Sequence, residues 1–147
     1  MRRGVCVGLA VLLAGLAAQP GLAAGDGIAI SQAWVRPSFG STDATALYLT
    51  IRNTGTLPDA VLTVTTPAAA ICELHRSGVE GGIASMRALD ELPLPPGVQV
   101  QLEPKGTHVM LMQLSHALKA GEHLPLVLRF KVHPPVTADA LVSMTAP

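Results

Sequence analysis

The chain has 147 residues, of which 49% are apolar and only 3% aromatic, and its 10 basic residues balance its 10 acidic ones. That length is typical of one domain with a sizeable core, and the balanced charge with few aromatic side chains excludes nucleic-acid binding as a leading function. The 14 glycines and 12 prolines are spread between apolar runs, which favours an all-β domain with many loops.

The first segment of the chain has the pattern of a secretory signal peptide. Two arginines follow the first methionine, residues 5–18 form a nearly unbroken apolar run, and Ala23-Ala24 supplies small residues before a cleavage site. The apolar run is too short for a transmembrane helix, which requires about 20 apolar residues. We therefore predict a signal peptide over residues 1–24 and an exported, periplasmic domain over residues 25–147.

Eight later runs alternate apolar and polar residues or are rich in strand-forming residues, and each predicts a β-strand. They are Ile28–Val35, Ala46–Ile51, Ala60–Val64, Ile71–His75, Val98–Leu102, His108–Leu114, Leu124–Val132 and Ala140–Met144. Turn-forming residues separate the runs, among them Ser77-Gly78, Gly81-Gly82 and Pro93–Gly97. Many short strands with frequent turns predict a β-sandwich or a barrel.

The sequence lacks the motifs of the common enzyme classes. It contains no Gly-x-Ser-x-Gly, no phosphate-binding loop, no Gly-x-Gly-x-x-Gly after a strand, no His-Glu-x-x-His and no Cys-x-x-Cys. Removal of the leader, which contains Cys6, would leave Cys72 as the single cysteine, so no intrachain disulfide is expected. Alternation places Cys72 on the strand face opposite His75, and we interpret it as a small buried side chain.

Histidine and methionine concentrate in two regions. His75 ends one predicted strand, Met86 follows the Gly81-Gly82 loop, and His108 and Met110 share one face of a later strand. Hard ions prefer oxygen ligands and structural zinc prefers thiolate or imidazole, whereas thioether sulfur favours Cu(I). On residue types alone, a Cu(I) site is one interpretation, and methionines that fill the core beside surface histidines are the other.

The remaining methionines and histidines have simpler interpretations. Met112 shares its predicted strand face with the two donors there; we expect it to pack, with lining of the site as the alternative. Met144, in the last predicted strand, is interpreted as a core residue. The histidines flanked by turn or polar residues are predicted to lie on the surface without a role, and they are His116, His123 and His133.

The spacing of the four candidate donors, His-x10-Met-x21-His-x-Met, resembles the signature of the periplasmic copper chaperone family known as PCu(A)C. Further segments resemble those of the family along nearly all of the chain after the leader: residues 33–37 (Ala-Trp-Val-Arg-Pro), 46–53, 73–75, 104–112 and 126–130.

The resemblance implies a single cupredoxin-like β-sandwich with Greek-key topology that binds one Cu(I) through His75, Met86, His108 and Met110. It implies a metallochaperone rather than an enzyme. It also implies that the recipient of the copper belongs to cytochrome oxidase maturation, as the oxidase copper centre itself or an intermediary copper protein.

Three features depart from the family pattern. Many members have a glycine where Lys105 stands and a basic residue where Ser85 stands, and we place both positions in loops. The chain ends at Thr145-Ala146-Pro147 without the tail rich in histidine and methionine that some members carry. We therefore expect no second copper site of high capacity.

Three other functions compete with that of a chaperone. A periplasmic copper storage or resistance protein would use the same ligands without a dedicated recipient. A redox or electron-transfer copper protein is disfavoured, because a blue-copper site needs a cysteine with two histidines and Cys72 is expected to face away from His75. A metal-free adhesion or structural β-sandwich would make the spacing of the donors a coincidence.

Overall fold

The structure, a computed structural model, describes residues 23–25 and 27–147. These residues contain eleven β-strands. The strands are β1 (Ala23–Gly25), β2 (Ile28–Val35), β3 (Ala44–Asn53), β4 (Asp59–Thr65), β5 (Ala69–Glu80), β6 (Ile83–Ala88), β7 (Leu92–Leu94), β8 (Gln99–Leu102), β9 (Thr107–Leu114), β10 (His123–Phe130) and β11 (Val136–Val142). None of the residues in these ranges forms a helix able to cross a membrane.

Most of the predicted signal peptide lies outside the described residues. Its last two residues belong to β1, which pairs antiparallel with β2, so that Ala24 lies opposite Ala29. The predicted boundary between residues 24 and 25 thus falls inside a paired strand, and the cleavage itself stays a prediction.

Each of the eight predicted runs corresponds to a strand, and β1, β6 and β7 were not predicted. The predicted turn at Ser77-Gly78 is wrong, because β5 continues through it to Glu80 and forms a hairpin with β6. The chain reverses at Gly81 and Gly82, whose φ angles of 59° and 81° lie in the left-handed region that glycine adopts without a steric penalty. The loop position expected for Ser85 is also wrong, since this residue lies in β6 opposite Gly78.

The ends of several strands differ from the prediction because pairing, rather than apolar character, sets them. β7 overlaps the start of the predicted turn Pro93–Gly97, and Leu92 and Leu94 are buried on either side of Pro93. Proline cannot donate a backbone hydrogen bond, and β7 tolerates it because, among the described strands, it pairs with β4 alone and forms the edge of the sheet. β10 ends at Phe130 instead of Val132.

Hydrogen bonding connects the main strands in the spatial order β6-β5-β9-β3-β2-β11-β10-β4-β7, with β8 paired to β3. Neighbours such as β5 and β9 are distant in sequence, as in Greek-key domains, and β11 with β2 is a parallel pair. The inner face of these strands contributes one continuous buried cluster that includes Val35, Leu47 and Leu111. The fold is therefore the predicted all-β, cupredoxin-like sandwich, and the expectation of a single domain agrees with this single core.

A buried carboxylate joins β4 to the loop after β10. The side chain of Asp59 is fully buried; it accepts hydrogen bonds from the amides of Ala60, Val132 and His133 and from Nδ1 of the His133 ring at 2.5 Å. Burial alone would raise the pKa of Asp59, but these hydrogen bonds together hold the pKa below its ordinary value. The prediction that His133 is a surface residue is wrong, because its ring forms this contact, whereas His116 and His123 are exposed as predicted.

Candidate metal centre

The predicted donors lie on one face of the sheet formed by β6, β5, β9 and β3. Residues that are directly opposite each other in an antiparallel pair project from the same face. His75 on β5 lies opposite His108 on β9, and Glu73 lies opposite Met110. Met86 on β6 lies opposite Ser77, which is two residues from His75 on the same strand.

The outward face of β9 follows the predicted alternation. Val109 and Leu111 are buried in the core at 1% and 0% exposure, so the residues that alternate with them along the strand project from the other face of the sheet. Those residues are His108, Met110 and Met112. The short-range geometry predicted for this strand is therefore confirmed.

Two imidazole rings form the centre of this face. The centroids of the His75 and His108 rings are 6.0 Å apart, and their planes meet at 66°. A metal–nitrogen bond of about 2 Å from each ring would span most of that distance. The side chain of His75 is 15% exposed and His108 is 5% exposed, so the rings lie just below the surface.

In a neutral imidazole one ring nitrogen carries the proton and the other a lone pair, and the hydrogen bonds of each ring favour one of the two arrangements. Nδ1 of His108 lies 3.1 Å from the carbonyl oxygen of Gly106, which only accepts, so Nδ1 donates and the lone pair is on Nε2. Nε2 of His75 lies 2.9 Å from the carboxylate of Glu73, so this nitrogen donates and the lone pair is on Nδ1.

Nδ1 of His75 is buried, and it has no hydrogen-bond partner within residues 23–25 and 27–147. A buried polar atom without a partner costs free energy, about 1–3 kcal/mol. Such an atom at a ring facing a second imidazole fits a metal ligand, because a metal ion would use the unpaired lone pair.

The methionines differ in how closely they approach the two rings. Met110 is half-buried, follows His108 on the same face, and lies diagonally across from His75. Met86 lies on the edge strand and is 52% exposed, diagonal to His75 on its other side. Met112 pairs with Ile71, one step farther from the imidazoles, and its packing role stays a prediction.

Met144 is not a core residue, so that prediction is wrong. β11 ends at Val142, and Met144 follows it with 62% of its surface exposed. The amide of Ser143 donates to the carbonyl of Val35, which anchors the backbone just before this methionine. Met144 thereby lines a surface cavity together with Met110.

Cys72 lies on the opposite face from the imidazoles, as predicted. It pairs with the core residue Leu111 and packs partly buried against the hydrophobic cluster. Burial raises the pKa of the Cys72 thiol, and a weak hydrogen bond from the backbone of Thr66 only partly offsets this effect. A protonated thiol facing the core is a poor ligand for a metal at His75.

Sequence analysis missed two aromatic residues next to the candidate donors. The ring of Tyr48 lies 6.4 Å from that of His108 and 4.6 Å from that of Trp34. With His75, these rings form a continuous row across β2, β3, β9 and β5. Trp34 and Tyr48 are the single tryptophan and the single tyrosine of the chain, which could have marked them as residues of interest. Their proximity depends on strand pairing, which the sequence pattern did not reveal.

The guanidinium group of Arg36 lies beside this row. Its central carbon lies 5.9 Å from the centre of the Tyr48 ring, a cation–π distance. Burial raises the pKa of the Tyr48 hydroxyl, and the charge of Arg36 lowers it in part. The Tyr48 hydroxyl is therefore neutral at physiological pH and adds no negative charge to the site.

Comparisons with known proteins identify relatives of this arrangement. The LpqE-like family, described as "Putative lipoprotein LpqE-like", matches residues 28–142. The chain is 36% identical over 124 residues to "Putative lipoprotein Lxx21020" of Leifsonia xyli subsp. xyli, which covers 84% of this chain and 73% of that protein.

Solved structures with the same fold include two metal-bound domains. The copper-bound PCuAC domain from PmoF2 superimposes with a TM-score of 0.69 and 26% identity, covering 82% of this chain and 94% of that one. The Cu(I)-bound DR1885 protein from Deinococcus radiodurans gives a TM-score of 0.65 and 29% identity, covering 88% of this chain and 83% of that one. Together with the family match over residues 28–142, these likenesses show that the chain belongs to the LpqE-like family, which is the PCu(A)C family of copper chaperones.

Proposed function

We propose that this protein binds one Cu(I) ion through His75, Met86, His108 and Met110 and transfers it to another protein. The observation that carries the proposal is the pair of facing imidazoles, because each ring has one nitrogen fixed as a donor and the other left with a lone pair. The copper-bound relatives support the choice of metal. Thioether sulfur beside imidazole favours Cu(I) over harder ions.

The positions of the donors suit a carrier that releases its cargo. The two imidazoles are held by strand pairing and by their own hydrogen bonds, whereas Met86 lies half-exposed on an edge strand. An incoming ligand would therefore replace the bond from copper to Met86 first, and the imidazoles would hold the ion until the recipient supplied further donors. Thioether and neutral imidazole permit this exchange because neither carries a negative charge that would hold the cation strongly.

We further propose that the protein acts in the periplasm, with recipients in cytochrome oxidase maturation. The names of the family and of the Leifsonia relative describe lipoproteins, which are exported proteins, and this supports export of the chain. The alternative of a copper storage or resistance protein uses the same ligands. One cluster of four donors gives little storage capacity per chain, which favours delivery.

A Cu(I) titration tests the ligand set directly. We expect one equivalent of Cu(I) per chain and a loss of at least about tenfold in affinity when any of the four donors is replaced, because changes even to the partners of metal ligands cost that much. Affinity would be measured anaerobically by competition with a Cu(I) chelator, and circular dichroism would check folding.

Met110→Leu and Met112→Leu are a matched pair for this titration, because both residues lie on the outward face of β9 and both changes preserve side-chain size. We expect a large loss of affinity for the first and a small one for the second. Equal effects of the two changes, or unchanged affinity in all four donor variants, would contradict the proposed site.

A further inference from the structure

A cavity of about 410 Å³ opens on the same face of the sheet as the candidate donors. Ala46 lines it between two of the other lining residues, because it pairs with Met110 on one side while its carbonyl accepts a hydrogen bond from the amide of Arg36 on the other. A methyl side chain between longer neighbours leaves a depression. The surrounding walls include Tyr48 and Met110, so the cavity directly adjoins the proposed copper site.

The rim of the cavity exposes apolar side chains on anchored backbone. Phe39 is 64% exposed and Met144 is 62% exposed. The loop that contains Phe39 is held by reciprocal hydrogen bonds between Ser38 and Leu118, and Met144 follows the anchored residue Ser143. Large apolar side chains held in place around a concave surface are typical of a binding site rather than of a solvent-facing loop.

The cavity also contains a positive charge without a counter-charge. Arg36 forms no ion pair with a carboxylate in the part of the chain that the structure describes. Its carbonyl accepts a hydrogen bond from the Thr45 hydroxyl at 2.8 Å, which helps to fix the backbone at this position. A guanidinium group beside an aromatic ring is a good partner for a carboxylate, because the fork of donors matches the two oxygen atoms.

We propose that this cavity, formed by Arg36, Phe39, Ala46, Tyr48, Met110 and Met144, is the docking site for the copper recipient and accepts an apolar side chain with a carboxylate next to it. The inference rests on the proposed function. The positive charge of Arg36 would bind the carboxylate of the recipient, and the apolar rim formed by Phe39 and Met144 would bind the apolar side chain next to it. The position beside Met110 brings a docked segment within reach of the metal.

Transfer at this site is a ligand exchange without a change of oxidation state. The recipient supplies a cysteine thiol as the new ligand; as the bond from copper to its thiolate forms, a bond from copper to a donor of this protein breaks. Copper remains Cu(I) throughout, and the proton of the incoming thiol passes to water.

Two synthetic peptides test the proposal. Each contains one cysteine beside a phenylalanine, and the flanking residues are two glutamates in one peptide and two lysines in the other. The rate of Cu(I) transfer from the loaded protein to each peptide is measured anaerobically by stopped flow, and the ratio of the two rates is compared between variants. Use of this ratio removes the intrinsic difference in reactivity between the two thiols.

The charge reversal Arg36→Glu should lower the ratio of the transfer rate to the glutamate peptide over that to the lysine peptide by about threefold or more. The reason is that it removes a surface ion pair with glutamate and creates one with lysine, each of which contributes modestly. The matched control is Arg52→Glu, an exposed arginine of β3 that lies outside the cavity. Phe39→Ser should slow transfer to both peptides by about threefold, because the apolar contact is lost. An Arg36→Glu ratio equal to that of Arg52→Glu would overturn the proposal.

Two further measurements separate the possible failures. Arg36→Glu, Arg52→Glu and Phe39→Ser should all bind Cu(I) as tightly as the original chain. If the original chain itself binds no Cu(I), it is the proposed function that fails, and not the docking proposal. Sedimentation at increasing concentration reports self-association. If the protein forms a dimer and Phe39→Ser abolishes it, a second copy of the chain occupies the cavity. That result would overturn the proposal that the cavity binds the copper recipient.

Discussion

The carboxylate of Glu73 accepts a hydrogen bond from Nε2 of His75, two residues later on the same strand and 2.9 Å away. This contact places the proton of the imidazole on Nε2 and leaves the buried Nδ1 with its lone pair. Partners of this kind fix the orientation of metal-binding histidines in many proteins. Glu73 thus acts on the candidate site through His75 and serves as a positioning residue.

Replacement of Glu73 by alanine should lower Cu(I) affinity by about tenfold, since loss of a hydrogen-bond partner of a metal ligand typically has this effect. Glu73→Gln should cost less, because the amide oxygen can still accept from Nε2. Nitrogen-15 NMR of the His75 ring would show a mixture of tautomers in the alanine variant only. Identical affinity and one tautomer in all three proteins would contradict the positioning role.

The buried Asp59 should stabilise the fold independently of the metal site. Asp59→Asn removes the charge that four donors surround, so we expect a loss of about 2–4 kcal/mol in the free energy of unfolding. Urea unfolding of the metal-free protein measures it. The exposed pair of His123 and Asp139 provides the control, because Asp139→Asn should change stability by less than about 1 kcal/mol.

The pH dependence of stability follows from the lowered pKa of Asp59. The folded state holds this carboxyl at a pKa below that of the unfolded chain, about 3.9. Its stabilisation is therefore complete above the unfolded value and is lost as the pH falls through the folded value. Asp59→Asn should show a smaller decrease in stability over that acidic range. Parallel curves for both proteins would show that Asp59 has the same pKa folded and unfolded.

The thiol of Cys72 should take no part in copper binding. It faces the core and its pKa is raised by burial, so Cys72→Val should keep the Cu(I) stoichiometry and affinity. The native protein should react slowly with iodoacetamide and quickly after unfolding. An intense blue absorption band on addition of Cu(II), lost in Cys72→Val, would instead favour an electron-transfer site with a thiolate ligand.

Local periodicity was enough to predict the outward face of β9, because alternation depends only on neighbouring residues. It was not enough for β6, whose residues are mostly exposed and carry no apolar pattern; pairing with β5 makes this segment a strand. Met144 was misplaced for a related reason. An apolar run suggested a strand up to that residue, but β11 ends at Val142.

The row of rings from Trp34 to His75 depends on contacts between four strands that are distant in sequence. No local pattern encodes those pairings. Similarly, Lys105 was identified only as a departure from a family preference for glycine. Its φ of 68° supplies the physical reason, since glycine adopts that left-handed conformation without strain.

Deletion of the gene separates copper delivery from copper storage. If the protein delivers copper, the deletion strain should lose copper-oxidase activity when copper is scarce, and added copper should restore it by mass action. A storage or resistance protein predicts normal oxidase activity and greater sensitivity to abundant copper. Complementation with Met110→Leu should fail where Met112→Leu succeeds, because only the first residue adjoins the imidazoles. Normal oxidase activity in a deletion strain under copper limitation, with no second copy of the gene, would exclude delivery and leave the copper site itself to be judged by titration.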